Sequence, residues 1–124
     1  MIKKVTIIND QDVIKDVLAH FFEAESVEVE TFDTGLQFIE NGFSTKDTSL
    51  FILDMILPDI GGIELYDMIR GYESEVERKP VFFISARNIS SDLSKRMKED
   101  KMLSYFQKPI DPEEIVDFAM RILK

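Results

Sequence analysis

Five times along this chain a short apolar run of strand length gives way to a segment with helical spacing. No other feature restricts the fold as much. Strands separated by helices join through right-handed crossovers into a parallel sheet with helices on both faces. The strands read as about Lys4 to Asn9, Val27 to Phe32, Leu50 to Asp54, Val81 to Ser85 and Met102 to Gln107. The first helix reads as roughly Gln11 to Ala24, with a stripe of Val13, Ile14, Val17, Leu18, Phe21 and Phe22. The second starts after Asp33, a good N-cap, and stops near Asn41-Gly42. The third runs from about Gly62 to Tyr72, with Leu65, Met68, Ile69 and Tyr72 at helical spacing. The fourth lies between about Ser90 and Lys98 and offers only Ile89, Leu93 and Met97 for burial, so it should open at low cost. The fifth opens with Asp111-Pro112-Glu113-Glu114, an N-cap, a first-turn proline and a capping-box acid, and faces the core with Ile115, Ala119 and Ile122.

Strand character suggests the order. Strands one, three and four are apolar without alternation, as expected when both faces are covered. Strand two alternates Val27, Val29 and Thr31 with Glu28 and Glu30, and strand five is mixed, so both belong at the edges. That agrees with a known α/β arrangement, which is the fold class expected: a flavodoxin-like, doubly wound, five-stranded parallel sheet of order 2-1-3-4-5 with five helices. At 124 residues, the chain is expected to be one domain over 1–124.

Composition narrows the function. The absence of cysteine excludes disulfides, zinc-thiolate sites and thiol nucleophiles. No apolar stretch is long enough to cross a bilayer and no cleavable leader is visible, so a cytoplasmic protein with no membrane partner is expected. A net charge of −9 argues against direct nucleic-acid binding. The densest basic group, Lys95, Arg96, Lys98 and Lys101, is interrupted by Glu99 and Asp100 and reads as a solvated helix face. His20 reads as an exposed surface residue, and the charged loop from Gly71 to Lys79 as solvated.

In a doubly wound sheet, ligands bind beyond the carboxyl ends of the strands at the switch point, here between strands one and three. Asn9-Asp10, Asp54, Ser85-Ala86 and Lys108-Pro109 end four of the strands. Together they carry two carboxylates, an amide, a hydroxyl and an ammonium to one edge. Paired carboxylates repel unless a cation intervenes, and hard oxygen donors select Mg²⁺ or Mn²⁺. A carboxylate can also act as a nucleophile toward phosphorus, with metal, ammonium and hydroxyl neutralising the charge of the transferring group.

Asn9-Asp10, the run from Asp54 through Pro58-Asp59 to Gly62, Ser85-Ala86 and Lys108-Pro109 resemble, in order and spacing, the motif set of the response-regulator receiver domain. That resemblance implies a phosphoacceptor switch of a two-component, His-Asp phosphorelay, and a signalling protein rather than an enzyme. Asp54 would accept a phosphoryl group from a partner's phosphohistidine, on a sensor histidine kinase or a histidine phosphotransfer protein. Asp10, Asp54 and the Ile56 backbone carbonyl would bind the metal, with Asn9 behind them. Ser85, Ala86 and Lys108 would hold the phosphoryl oxygens. Ser85 and Tyr105 would be the switch pair, and the Lys108–Pro109 peptide would be cis. Phosphorylation would change the surface of helix four, strand five and helix five for a partner or for a second copy of the chain.

Three positions depart from the family pattern. Asn9 replaces an acid, so Asp10, Asp54 and Lys108 leave a formal site charge of −1 (two carboxylates, one ammonium) and weaker Mg²⁺ binding is expected. Gly61 stands where Asp or Asn often precedes the loop glycine. Ile56 carries no polar group to assist an attacking water. Asn9 also raises the alternative of a receiver-like adaptor that binds partners without phosphorylation; absence of Mg²⁺ binding would favour it. An aspartyl phosphatase of the haloacid-dehalogenase kind should carry a second Asp where Ile56 stands. A flavin-binding loop should donate hydrogen bonds, whereas Asn9-Asp10-Gln11-Asp12 would repel phosphate without a metal.

Overall fold

The computed structural model describes residues 3–41, 47–73 and 78–123. Five strands, β1 (Lys4–Ile8), β2 (Glu28–Phe32), β3 (Leu50–Asp54), β4 (Val81–Ser85) and β5 (Leu103–Gln107), alternate with α1 (Asp12–Ala24), α2 (Gly35–Glu40), α3 (Gly62–Tyr72), α4 (Ser91–Glu99) and α5 (Pro112–Leu123). The strands pair in parallel in the order β2-β1-β3-β4-β5. All of β3 and β4 is buried, whereas β2 is largely exposed. The continuous apolar strands are thus central and the charged one lies at an edge.

Side chains on a strand alternate between faces, and this splits the core in two. Val5, Ile7, Leu50, Ile52, Phe82 and Ile84 pack against α1 and α5. Ile8, Phe51, Leu53, Val81, Phe83 and Leu103 pack against α2, α3 and α4. On β2 the expected alternation is incomplete: Val29 joins the first layer, Phe32 turns to the second, and Thr31 is exposed.

Several expected helix faces are rotated. Val13 is 79% exposed, because the first turn of α1 lies where the sheet ends. Lys15 is buried instead, with Asp12 at 3.2 Å and Asp33 as ion-pair partners. Asp33 is therefore not the α2 N-cap; Thr34 is, its hydroxyl accepting from the Gln37 N–H at 3.0 Å. In α3 the core face is Leu65, Tyr66 and Ile69, whereas Met68 and Tyr72 are exposed. In α5, Val116 and Leu123 join Ile115 and Ala119, and Ile122 is exposed. The Asp111 carboxylate does cap α5, accepting from the Glu113 and Glu114 N–H groups.

Helix α4 buries only Leu93, as its polar sequence requires. Ser90 caps it, accepting from the Leu93 N–H at 3.1 Å. Its last turn is better tied: Arg96 pairs with Asp67 and Asp92, and Asp100 is buried against α3. His20 is exposed, edge-on to Phe21. The loop read as solvated is not uniformly so: Arg70 donates to Glu73 at 2.5 Å and to the Lys79 carbonyl at 2.9 Å. Gly42 and residues 74–77 of that loop lie outside the described residues.

Candidate functional site

Register places the site. Ile8 is level with Leu53, so Asn9 and Asp54 follow at the same height on neighbouring strands. Asp54 is level with Ile84, one residue before Ser85. Ser85 is level with Gln107, one residue before Lys108. The carboxyl ends of four strands therefore meet at one edge of the sheet. By alternation, Asn9 and Asp54 continue the face packed by α1 and α5, whereas Ser85 and Tyr105 continue the face packed by α3 and α4.

Asp54 is 3% exposed. Lys108 Nζ donates to its Oδ2 at 3.0 Å, and the Ile56 backbone N–H donates to its Oδ1 at 3.0 Å. A carboxylate offers about four acceptor positions, so this one is anchored but not saturated. The same ammonium donates to Gln11 Oε1 at 2.8 Å. The Lys108–Pro109 peptide is cis. Asp10 is exposed, and none of the described residues donates to its carboxylate. Asn9 is 1% exposed; its Oδ1 accepts from the Gln11 backbone N–H at 2.8 Å, and its Nδ2 has no partner among the described residues. An orphaned buried donor costs about 1–3 kcal/mol and calls for a reason.

On the other face, Ser85 Oγ accepts from the Arg87 N–H at 3.1 Å. Ser85, Ile56, Asn88, Leu93 and Tyr105 line a cavity of about 150 Å³. The Tyr105 hydroxyl is buried without a partner among the described residues. Ala86 is exposed just beyond.

The loop after Asp54 is held by two residues to which the sequence reading gave no role. A Cβ on Gly62 would lie 2.6 Å from the Asp54 carbonyl oxygen and 2.8 Å from Met55 Cα, both backbone, so only glycine fits. Gly61 has room and an ordinary extended conformation, so its departure from the family pattern costs α3 only a side-chain cap. Asp59 accepts from Gly35, Leu36 and Ile60 N–H groups at 3.1, 2.7 and 2.8 Å, tying this loop to α2. Burial opposes its ionisation, yet these backbone donors hold the Asp59 carboxyl below the usual range. Gln11 was also missed; its one legible signal is that it stands at a helix N-cap, where glutamine is a poor capping residue.

Asp10, Asp54 and the Ile56 carbonyl are hard oxygen donors, the chemistry that Mg²⁺ accepts while keeping several waters. Among the described residues no group of three or more acidic or imidazole side chains converges. Nor is any described helix long and apolar enough to cross a membrane.

Known proteins share the sequence pattern and the fold of this chain. A family model described as the response regulator receiver domain covers residues 5–119. The phosphate regulon transcriptional regulatory protein PhoB of Rhizobium meliloti is 33% identical over 92 residues, 74% of this chain and 40% of that protein. The transcriptional regulatory protein CreB of Escherichia coli is 30% identical over 97% of this chain and 50% of its own length. The chain thus spans half or less of these two relatives, but it covers 88% of the rice two-component response regulator ORR5, at 24% identity. Among solved structures, the BeF3-activated receiver domain of Thermotoga maritima DrrB superposes with a TM-score of 0.81 at 24% identity, over 99% of this chain and 98% of that one. The chemotaxis response regulator CheY4 of Vibrio cholerae gives 0.80 at 20% identity, over 98% and 99%. Likeness at such identities speaks for the fold; the family model, matching nearly the whole sequence, speaks for the lineage. This chain belongs to the response regulator receiver domain family.

Proposed function

We propose that the chain is the phosphoacceptor switch of a two-component system and that Asp54 takes the phosphoryl group. The observation that carries this reading is the state of Asp54: buried, held by one ammonium and one backbone N–H, and left with free lone pairs at the open edge of the sheet. A carboxylate so fixed can attack phosphorus in line. With a phosphohistidine donor, an Asp54 oxygen forms the new P–O bond and the P–N bond breaks. Its electron pair leaves on the imidazole, which departs neutral when its other nitrogen is protonated. Lys108 exchanges its contact with Oδ2 for the phosphoryl oxygens and offsets their charge. Asp10, Asp54 and the Ile56 carbonyl would hold Mg²⁺ or Mn²⁺, which when bound supplies further positive charge at the phosphoryl oxygens.

The orphaned Tyr105 hydroxyl and the cavity shared with Ser85 supply the route outward. Ser85 turning toward a phosphoryl oxygen would relinquish the Arg87 N–H and vacate room for Tyr105. The weakly buried α4 would then shift with β5 and α5, a change of population between two packings. The donor would be a sensor histidine kinase or a histidine phosphotransfer protein in the cytoplasm, and the receiver of the signal another protein or a second copy. The test is intact-mass measurement after incubation with Mg²⁺ and acetyl phosphate. One added phosphoryl group on the wild type and none on Asp54→Ala is expected; an unmodified wild type, or a modified variant, overturns the reading.

A further inference from the structure

We propose that Gln11 is a positioning residue for phosphoryl transfer: its side-chain oxygen holds the Lys108 ammonium in reach of Asp54. This rests on the phosphoacceptor reading and adds to it a residue that the motif set does not contain.

Gln11 occupies the N-cap of α1, yet its side chain makes no capping bond. Ser, Thr, Asp or Asn at that position would satisfy a first-turn N–H, and glutamine is not among the favoured residues. The side chain instead accepts from Lys108 Nζ at 2.8 Å, across 97 residues of sequence. That bond is as short as the one from the same ammonium to Asp54, at 3.0 Å. Gln11 is itself fixed at both ends of its backbone. Its N–H donates to the buried Asn9 side chain at 2.8 Å, and its carbonyl accepts from the Lys15 N–H at 3.2 Å. A contact chain thus runs from Asn9 through Gln11 and Lys108 to Asp54. It gives the amide at position 9 a task of its own: its oxygen is engaged in placing Gln11.

The chemistry favours a neutral acceptor here. A lysine head group sits on four rotatable bonds, so a single partner leaves it loosely placed. A second acceptor on a rigid turn fixes it. A carboxylate in that place would also neutralise the charge that the phosphoryl oxygens need, whereas an amide oxygen orients the ammonium and leaves its charge available. The two bonds occupy two of the three ammonium donors, and the third has no partner among the described residues.

The test compares wild type with Gln11→Met, which keeps length and removes the acceptor, and Gln11→Glu, which keeps an acceptor and adds charge. Gln11 is exposed and its side chain makes no capping bond, so neither change uncaps α1, and Gln11→Met takes away only the bond to Lys108 under test. Two quantities are read: the rate of phosphate gain from acetyl phosphate with Mg²⁺, and the ¹⁵N-ammonium NMR signal of Lys108, assigned with Lys108→Arg. In Gln11→Met the rate should fall about tenfold, as for losing a hydrogen bond to a charged group, and the ammonium signal should be lost to solvent exchange. Gln11→Glu should restore the signal without restoring the rate. An unmodified wild type overturns the phosphoacceptor reading and this proposal with it. A wild type that gains phosphate no faster than Gln11→Met, with the ammonium signal unchanged, overturns this proposal alone.

Discussion

Two polar clusters sit at opposite edges of the same sheet, and they differ in how completely they are paired. At the amino edge Asp100 accepts from Tyr66 Oη at 2.6 Å, Arg70 Nε at 2.8 Å and the Met102 N–H at 3.0 Å. Arg70 completes its set with Glu73 and the Lys79 carbonyl, and Glu73 accepts from the Lys79 N–H at 2.9 Å. At the carboxyl edge, among the described residues, Asp54 has two donors, Asp10 has none, and the Asn9 amide nitrogen and Tyr105 hydroxyl have no partner. Each cluster has a buried carboxylate at its centre, Asp100 in one and Asp54 in the other, so burial of the central acid does not separate them. Saturation does: a filled network locks elements together, and an unfilled one keeps capacity for a ligand. The filled cluster shifts its members accordingly. Burial, reinforced by the hydrogen bond to Asp100, pushes the Tyr66 hydroxyl up to about 12. Burial of Asp100 is outweighed by Tyr66, Arg70 and the Met102 N–H, which hold its carboxyl below the usual range.

Breaking each cluster should give opposite phenotypes. The largest effect is expected from Asp54→Asn, which should abolish phosphate gain by intact mass while leaving the melting temperature nearly unchanged. Next is Asp100→Ala. Taking one of two carboxylate partners from the buried Arg70, with Glu73 remaining, should cost about 3 kcal/mol, read by urea unfolding, while phosphate still enters Asp54. A pH series sharpens this contrast. Because the folded state lowers the Asp100 pKa, its contribution is present above the unfolded value of 3.8 and is lost as pH falls through the folded one. Wild-type stability should therefore fall more steeply below about pH 4 than that of Asp100→Asn.

Gly62→Ala comes third. Its methyl would meet backbone at 2.6 and 2.8 Å, so the loop must move, costing about 1–3 kcal/mol and slowing phosphate gain together. This variant crosses the comparison, because it damages stability and function at the unsaturated edge. The smallest effect is expected from Asn9→Asp. A second acid beside Asp10 should tighten Mg²⁺ binding by about tenfold in calorimetry, the scale of one favourable charge interaction, and lower the melting temperature of the metal-free protein, because position 9 is buried. Unchanged Mg²⁺ affinity would show that position 9 does not face the metal site at all.

Much of the fold was readable before any coordinates. The bounds of β3, α3 and β4 follow directly from their apolar runs, and which strands lie at the edges follows from which runs are not continuously apolar. The strand ends bearing Asp54, Ser85 and Lys108 were readable for the same reason. Errors gathered at helix faces and caps. Val13 and Ile122 fit an apolar stripe but are exposed, because periodicity says which residues share a face and not where the sheet beneath it ends. Lys15 lies outside that apolar stripe yet is buried, paired with Asp33 from after β2.

The chain's own order of residues determined which segments become strands, which strands are central and which chemical groups stand at their carboxyl ends. These follow from local periodicity and burial preference, which act over a few residues. Tertiary structure alone decided who meets whom across long separations: Gln11 with Lys108, Asp59 with the first turn of α2, Asp100 with Tyr66 and Arg70. A hydrogen bond is set by distances of about 3 Å, and residues distant in sequence reach that spacing only when packing has fixed every element between them.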